Sequence, residues 1–302
     1  MKHIFIVNSF TLKADLNQLL HRIKEYCEKE KIEYEIEINN KDNSTESILK
    51  KYKKTNYIIH AIGGDGTLNR VVNALVGTKN VVGVIPYGTG NDFHKSVIKQ
   101  FKKGINECDL IKINNKYFIN TACFGIDADI AYNKENISTL ILRSQRYNAS
   151  IIKTFASYRP RYFKIEANNQ ILEGNYATVI VCNGEYYGNG YHVAPNSNLN
   201  DDSFDVYIVK DLNKISLAAL ILKLKNGKHE NDKNVIKIST KKLNLKLKEY
   251  VHSNIDGELL KDNKFDIELC KKKIQVYYDK KLIDYLKKKI SSLIRFLFFS
   301  NL

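Results

Sequence analysis

Long apolar runs are missing from this chain: none approaches the ~18 residues that cross a bilayer, so no transmembrane helix is expected. A signal peptide is not expected either, because the apolar stretch His3 to Val7 after Lys2 is too short and no small-residue cleavage site follows. A cytoplasmic protein is the default. Cysteine is sparse: Cys27, Cys108, Cys123, Cys182 and Cys270 are odd in number, scattered and without C-x-x-C spacing. That argues for reduced thiols rather than a disulfide framework or a zinc site. The seven histidines form no metal-like pair, and no internal repeat, low-complexity tract or flexible linker interrupts the chain.

What is present is length, charge and periodicity. The chain has 302 residues, enough for two modest domains with separate cores, and a formal net charge of +15. The lysines are spread out, and no helix-turn-helix, zinc-finger or RNA-binding signature accompanies them, so nucleic acid is not the expected partner. A nucleotide together with an anionic membrane surface accounts for the charge, and so does a solvated Lys-rich surface.

The organising stretch is Tyr57 to Val76. Tyr57 to Ile62 is a nearly continuous apolar run, suited to a strand buried on both faces of a parallel sheet. Beyond it Leu68, Val71, Val72, Leu75 and Val76 recur at the spacing of a helix with one buried face. Gly63, Gly64 and Gly66 stand between, where glycine lets a ligand press against main-chain N–H groups at the positive end of the helix. Phosphate is the natural ligand, and Thr67 adds a hydroxyl. Asp65 is out of place in an anion site unless it serves a metal, a proton or a ribose; the alternative is a glycine-rich connection whose Asp caps the helix.

The neighbouring segments repeat the design. His3 to Val7 and Ile32 to Ile38 read as strands, and Leu12 to Glu30 and Ser47 to Lys54 as helices, hence an open parallel sheet with helices on both faces. Val81 to Ile85 is another strand, ended by Pro86, and Gly88 and Gly90 loosen a turn carrying Thr89, Asn91 and Asp92. Two adjacent strand ends would then aim phosphate donors and carboxylates at one crevice. From Asp109 the pattern changes to a hairpin at Asn114 and Asn115, a turn at Gly125 that takes in Asp127 and Asp129, with active-site acids as the alternative reading of that pair, and a helix over Ile137 to Tyr158. After Arg161 short strands dominate, among them Leu243 to Leu247, His252 to Ile255 and Ile274 to Tyr278, broken by a helix over Lys214 to Lys225, the pattern of an antiparallel sandwich or barrel.

These motifs carry a resemblance. GGDGT, Gly63 to Thr67, resembles the nucleotide-binding signature shared by diacylglycerol, sphingosine and ceramide kinases, NAD kinases and phosphofructokinases, and PYGTGNDF, Pro86 to Phe93, resembles the P-x-G-T-x-N-D-F segment of the diacylglycerol kinase catalytic family. Asn120, Gly125 and Asp127 match N-x-x-x-x-G-x-D, and Asn183 to Val209 resembles the segment holding N-x-x-x-x-G-G-x-x-x-A-P and D-G-x-L-D-V. The resemblance implies an ATP-dependent lipid kinase, most simply one acting on diacylglycerol, with residues 1–110 and a returning segment from about 279 to 302 as an α/β nucleotide-binding domain. Residues 111–278 would form an antiparallel β-sandwich domain, with the active site in the cleft between. ATP would contact Asn8, Gly63, Gly64, Asp65, Gly66, Thr67, Leu68, Asn69, Arg70, Gly88, Thr89, Asn91 and Asp92. Asp256 and Glu258 of a D-G-E segment, which on an extended strand would face one way but which alone reads as a hairpin tip, would activate the acceptor hydroxyl, Glu258 first, with Asp65 as a further catalytic residue that organises Mg²⁺ and water together with Asp92. Mg²⁺ would be held at a loop by Asp202 and the carbonyls of Leu199 and Phe204; a plain Asn/Asp-rich turn is the competing reading there.

Two departures stand out. The family's amino-terminal N-P-x-S-G appears only as Asn8, Ser9, Phe10 and Thr11, and Arg70 stands where G-G-D-G-T-x-N-E has Glu. A membrane-lipid substrate implies peripheral association with the inner face of a membrane, and a homodimer is left open. Lys280 to Leu302 reads as an amphipathic helix that either packs on the first domain or lies on an anionic bilayer.

Overall fold

In a computed structural model that describes residues 1–9, 16–40, 43–135 and 146–287, the apolar runs of the first third become parallel strands. Strands β1 (His3–Asn8), β2 (Tyr34–Asn39), β3 (Ile58–Gly63) and β4 (Val81–Pro86) run side by side in the order β2-β1-β3-β4. Every residue of β3 and β4 is buried, as continuous apolar runs require when helices cover both faces. The helices are α1 (Leu16–Lys29), α2 (Thr45–Leu49), α3 (Asp65–Leu75) and α4 (Asp92–Gln100), with a 3₁₀ turn at Lys50–Tyr52. Strand β5 (Gly104–Cys108) closes the edge.

The second unit begins with β6 (Ile111–Ile113) and β7 (Lys116–Phe118), the hairpin expected at Asn114, and continues through β8 (Thr121–Gly125) into α5 (Ile126–Glu135). That helix overturns the expected turn at Asp127 and Asp129. Asp127 accepts a hydrogen bond from the Tyr187 hydroxyl and Asp129 pairs with Arg161 at 2.9 Å, so partners far along the chain hold both acids on the helix. The helix expected over 137–158 is described as α6 (Arg146–Ala156); its first part lies outside the described residues.

Strands β9 (Arg161–Ala167), β10 (Gln170–Cys182), the short pair β11 (Tyr186–Tyr187) and β12 (Tyr191–His192), β13 (Phe204–Lys210), helix α7 (Lys214–Lys225), β14 (Val235–Thr240), β15 (Lys242–Ile255) and β16 (Glu258–Leu269) complete the unit. Its main sheet is antiparallel, and β10 and β15 are long enough to bend. The amino-terminal half of each pairs with β9 and the carboxyl-terminal part with β8, with register irregularities at Tyr176/Thr178 and Lys246/Val251. The sheet thereby folds over a core that includes Phe124, Phe163, Phe204 and Phe265, the sandwich expected.

The last strand, β17 (Ile274–Tyr278), pairs with β4 and β5 in the first sheet, so the return to the first unit starts with β17 and not after residue 278. Helix α8 (Lys280–Lys287) follows and buries Leu282, Ile283 and Leu286; the Arg22 guanidinium donates to the Leu286 carbonyl at 3.0 Å and Tyr285 packs on Tyr26. That much of the carboxyl-terminal segment packs on the first unit, and 288–302 lies outside the described residues. Among the described residues no helix is long and apolar enough to cross a membrane.

Candidate active site

The strand order reverses at β1, which has β2 on one side and β3 on the other, and ligands in open α/β sheets collect beyond the strand ends at such a point. Asn8 ends β1 and Gly63 ends β3; the Asn8 amide donates to the Thr67 hydroxyl at 3.0 Å, joining the two strand ends. Gly64 caps α3 without a side chain, and Asn91 begins α4 from a left-handed backbone (φ 50°) without its own side chain bonding the helix end. Two helix amino termini therefore open on one crevice, an arrangement that favours anions.

Backbone contact holds the two turns together. The Gly63 carbonyl accepts from the N–H groups of Tyr87 and Gly88 at 2.8 and 3.0 Å, and Asn91 ties its own turn to Gly88 through both side-chain atoms. A Cβ on Gly88 would lie 2.4 Å from the Gly64 Cα, so glycine is required here for close approach.

Asp65 accepts from the Phe93 N–H at 3.2 Å, so it caps a helix as the alternative reading allowed, but the helix is α4, not its own. Asp92 accepts from Lys95 at 2.7 Å and from the Asn189 N–H at 2.9 Å. Their carboxylates converge on Gly90, where an added Cβ would meet Asp65 at 3.2 Å and Asp92 at 3.3 Å. Burial, and then the Asp92 charge beside it, push Asp65 up to about 6, against the pull of the backbone N–H groups it accepts from.

Asp256 and Gly257 are the two-residue tip of the β15–β16 hairpin, with Ile255 opposite Glu258 and positive φ at both (47° and 89°), the geometry a D-G pair favours. Of the two readings of D-G-E, extended segment or hairpin tip, the structure has the hairpin tip, and the two carboxylates go different ways. Asp256 is buried and accepts from the N–H groups of Ile119 (2.9 Å), Asn120 (3.1 Å) and Thr121 (2.8 Å) and from the Asn69 amide at 3.4 Å. Burial still outweighs these donors and raises it to about 6. With its lone pairs occupied, Asp256 is a positioning residue that ties the second unit to α3. Glu258 is one-third exposed and receives both Nε (3.0 Å) and Nη2 (2.8 Å) of Arg70. Gly257 packs on Gly66, where a Cβ would lie 3.2 Å from the Gly66 nitrogen.

The resulting crevice, about 690 Å³, is lined by Gly64 to Thr67, Arg70, Gly88 to Gly90, Asp92 and the hairpin tip, together with Asn120, Thr121, Ala131, Tyr187 to Asn189 and Asn254. The fold brings most of the expected residues together, but not all. Leu68 is buried in the core and its N–H is spent on the Gly64 carbonyl, and Asn69 is buried against Tyr117 and Asp256. Neither lines the crevice; nor do Asn8, Gly63 and Asn91, which support its walls. Sequence reasoning missed Thr121, Tyr187 and Asn189 as lining residues. Asn189 occupies one of the family's glycine positions with φ 72°, a conformation asparagine tolerates.

The expected magnesium loop is tied to a lysine. The Lys273 ammonium lies 2.9 Å from Asp202 and 3.1 Å from Asp109 and also donates to Asn200. Asp109 in turn accepts from the N–H groups of Asp201 and Asp202 at 2.9 Å, and its own N–H takes the Leu199 carbonyl at 2.7 Å. Phe204 opens β13, opposite Thr240. Of the three expected ligands, then, only the Asp202 carboxylate meets the lysine, while the Leu199 carbonyl is taken by a backbone N–H. Among the described residues no group of three or more His, Cys, Asp or Glu side chains could hold a metal by itself. The Asp65–Asp92 pair fits the other style of Mg²⁺ binding, one or two carboxylates completed by substrate phosphates.

Residues 2–118 match the family model described as the diacylglycerol kinase catalytic domain, and residues 120–278 match the YegS C-terminal NAD kinase beta sandwich-like domain. A diacylglycerol kinase of Bacillus subtilis (strain 168) is 30% identical over 214 residues, which cover 67% of this chain and 71% of the relative. A crystal structure of a diacylglycerol kinase from Bacillus anthracis has a TM-score of 0.71 at 21% identity, covering 93% of this chain and 98% of that one. The last likeness concerns the fold.

Proposed function

The chain belongs to the diacylglycerol kinase catalytic-domain family of lipid kinases, and from that premise we propose that it transfers the γ-phosphate of ATP to the hydroxyl of diacylglycerol, making phosphatidate at the inner face of a membrane. The observation that carries the reading is the meeting, in one crevice, of two helix amino termini, the Asp65–Asp92 pair and the carboxylate of Glu258.

Backbone N–H groups of Gly64 to Thr67, Thr89 and Gly90 would cradle the phosphates, with the Thr67 hydroxyl beside them. Asp65 and Asp92 would hold Mg²⁺, which when bound neutralises charge developing on the phosphoryl oxygens. The lipid hydroxyl oxygen bonds to the γ-phosphorus as the bond from that phosphorus to its bridging oxygen breaks, and the hydroxyl proton passes to Glu258. Arg70 holds Glu258 at the edge of the first turn of α3, where its guanidinium also faces the transferred charge. Asp256 keeps the hairpin tip in place.

The test is transfer of radiolabelled phosphate from ATP onto a panel of lipid alcohols. Diacylglycerol should be the best acceptor, and Asp65→Asn and Glu258→Gln should each lower turnover by at least ~10²-fold in folded protein. Near-normal turnover in both variants, or no acceptor among the lipids, would overturn the assignment.

A further inference from the structure

Helix α7 is apolar on two faces. Asn213 caps it, accepting from the Ser216 N–H at 2.9 Å, and Leu217, Leu220 and Leu224 point inward. Leu217 and Leu220 pack in one cluster with Ile126 and Ile130 of α5 and Val209 of β13. That stripe accounts for the fold. A second stripe at i, i+3, i+4 and i+7, namely Ile215, Ala218, Ala219 and Leu222, faces outward. Ile215 is 84% exposed and Leu222 67%, the two most exposed large apolar side chains among the described residues.

An apolar stripe in water lowers stability and solubility unless something covers it. Its surroundings state what. The helix carries Lys214, Lys223 and Lys225 and no Asp or Glu, and Lys210 and Lys228 flank it. Lys223 pairs with Asp232, but the local balance stays positive, as does the chain at +15. Apolar residues between lysines on a short surface helix suit the boundary between acyl chains and anionic headgroups.

Position adds to chemistry. Helix α5, against which the inner stripe packs, also presents Ala131 to the crevice, and β12, which packs on α7, belongs to the hairpin that brings Tyr187 to Asn189 to the same crevice. The outward stripe therefore sits one packed layer from the crevice wall.

We propose that the outer face of α7 is the membrane-docking surface of the protein, entering the headgroup layer of an anionic bilayer with Ile215 and Leu222 as apolar anchors and the flanking lysines on lipid phosphates. The proposal rests on the lipid-kinase reading for its purpose, but its test is a binding measurement that needs neither ATP nor acceptor.

Full-length protein is sedimented with vesicles of phosphatidylcholine alone and of phosphatidylcholine with phosphatidylglycerol, both free of diacylglycerol. The wild type should partition onto the anionic vesicles and much less onto the neutral ones. Ile215→Ser with Leu222→Ser, two exposed sites whose change leaves the core intact, should weaken that partitioning by at least ~10-fold. Turnover on a soluble short-chain diacylglycerol should stay at the wild-type rate. Unchanged sedimentation of the double variant would overturn the proposal. So would a dimer in gel filtration that the double variant dissolves, since a second copy would then be what covers the stripe. Loss of vesicle binding in a protein that phosphorylates no lipid would leave the docking surface standing and remove the kinase reading instead.

Discussion

Gly88→Ala is the most discriminating change the crevice offers, because nothing flexible stands where the new methyl group would go. Its Cβ would lie 2.4 Å from the Gly64 Cα and 3.0 Å from both the Gly64 nitrogen and the Asn91 side-chain oxygen. Carbon atoms settle at roughly 3.5 Å, so the two glycine turns must part by about 1 Å. Overpacking of that kind costs about 1–3 kcal/mol. The bonds from Tyr87 and Gly88 to the Gly63 carbonyl, 2.8 and 3.0 Å, would stretch with it at about 1 kcal/mol each. A total of about 3–5 kcal/mol corresponds to a melting temperature lower by roughly 6–20 °C. Turnover should fall further than stability, because a misplacement of about 1 Å at a site that works by positioning costs on the order of 10²-fold. The control is Gly77→Ala, just beyond α3, where the added methyl group meets open space and only the backbone (φ 80°) objects. That variant should melt slightly lower and turn over normally. Thermal melting, ATP titration and phosphate transfer on both variants decide the matter: wild-type ATP affinity and turnover in Gly88→Ala would refute the idea that contact between the two turns builds the phosphate site.

Two further predictions concern charge away from the crevice. Lys273→Met strips buried Asp109 of its cation, so the variant should melt several degrees lower and recover partly with Mg²⁺, whereas nucleotide-free wild type should melt alike with Mg²⁺ or a chelator; wild type destabilised by the chelator would show that the lysine does not replace the ion. Burial holds His3 down at about 4 and His60 well below the ordinary histidine value, so stability from this neutral pair is complete above about 6.5 and is lost as pH falls toward 4. Asp65 and Asp256, raised to about 6, pull the other way, so the readout is a comparison: the loss of melting temperature between pH 7 and pH 5 should be smaller in His60→Leu than in wild type. An equal loss in the two proteins would count against the pair.

Local pattern made part of this molecule legible. The strand, glycine turn and helix from Tyr57 to Val76 needed only periodicity, and α7 runs over the residues its spacing gave, Lys214–Lys225. The pattern of Ile274 to Tyr278 likewise said strand, but not which sheet it joins, since its partners β4 and β5 lie far back in the chain. The separate strands expected at Leu243 to Leu247 and His252 to Ile255 are one, because the exposed Lys248, Glu249 and Tyr250 break the alternation at the register irregularity without ending the pairing. Partnerships across the chain had no local signal at all. Arg70 meets Glu258 across 188 residues, and Lys273 reaches the Asp202 loop, for which the resemblance implied a metal and composition a plain turn.

One hairpin tip explains why this crevice can work by positioning. Had Asp256 and Glu258 lain on an extended strand, both would have faced the nucleotide and competed for one role. The left-handed backbone at Asp256 and Gly257 turns them apart. Asp256 goes inward, where Ile119 to Thr121 and Asn69 fix it; Gly257 lies on Gly66; Glu258 remains at the rim, held by Arg70. Three successive residues thus bind the second unit to the first two turns of α3. The proposed proton acceptor and the proposed phosphate cradle are then fixed to each other twice, by the Gly257–Gly66 backbone contact and by the Arg70 pair that holds the Glu258 carboxylate. For a reaction in which the protein contributes position and electrostatics more than covalent chemistry, that fixed separation is what the fold supplies.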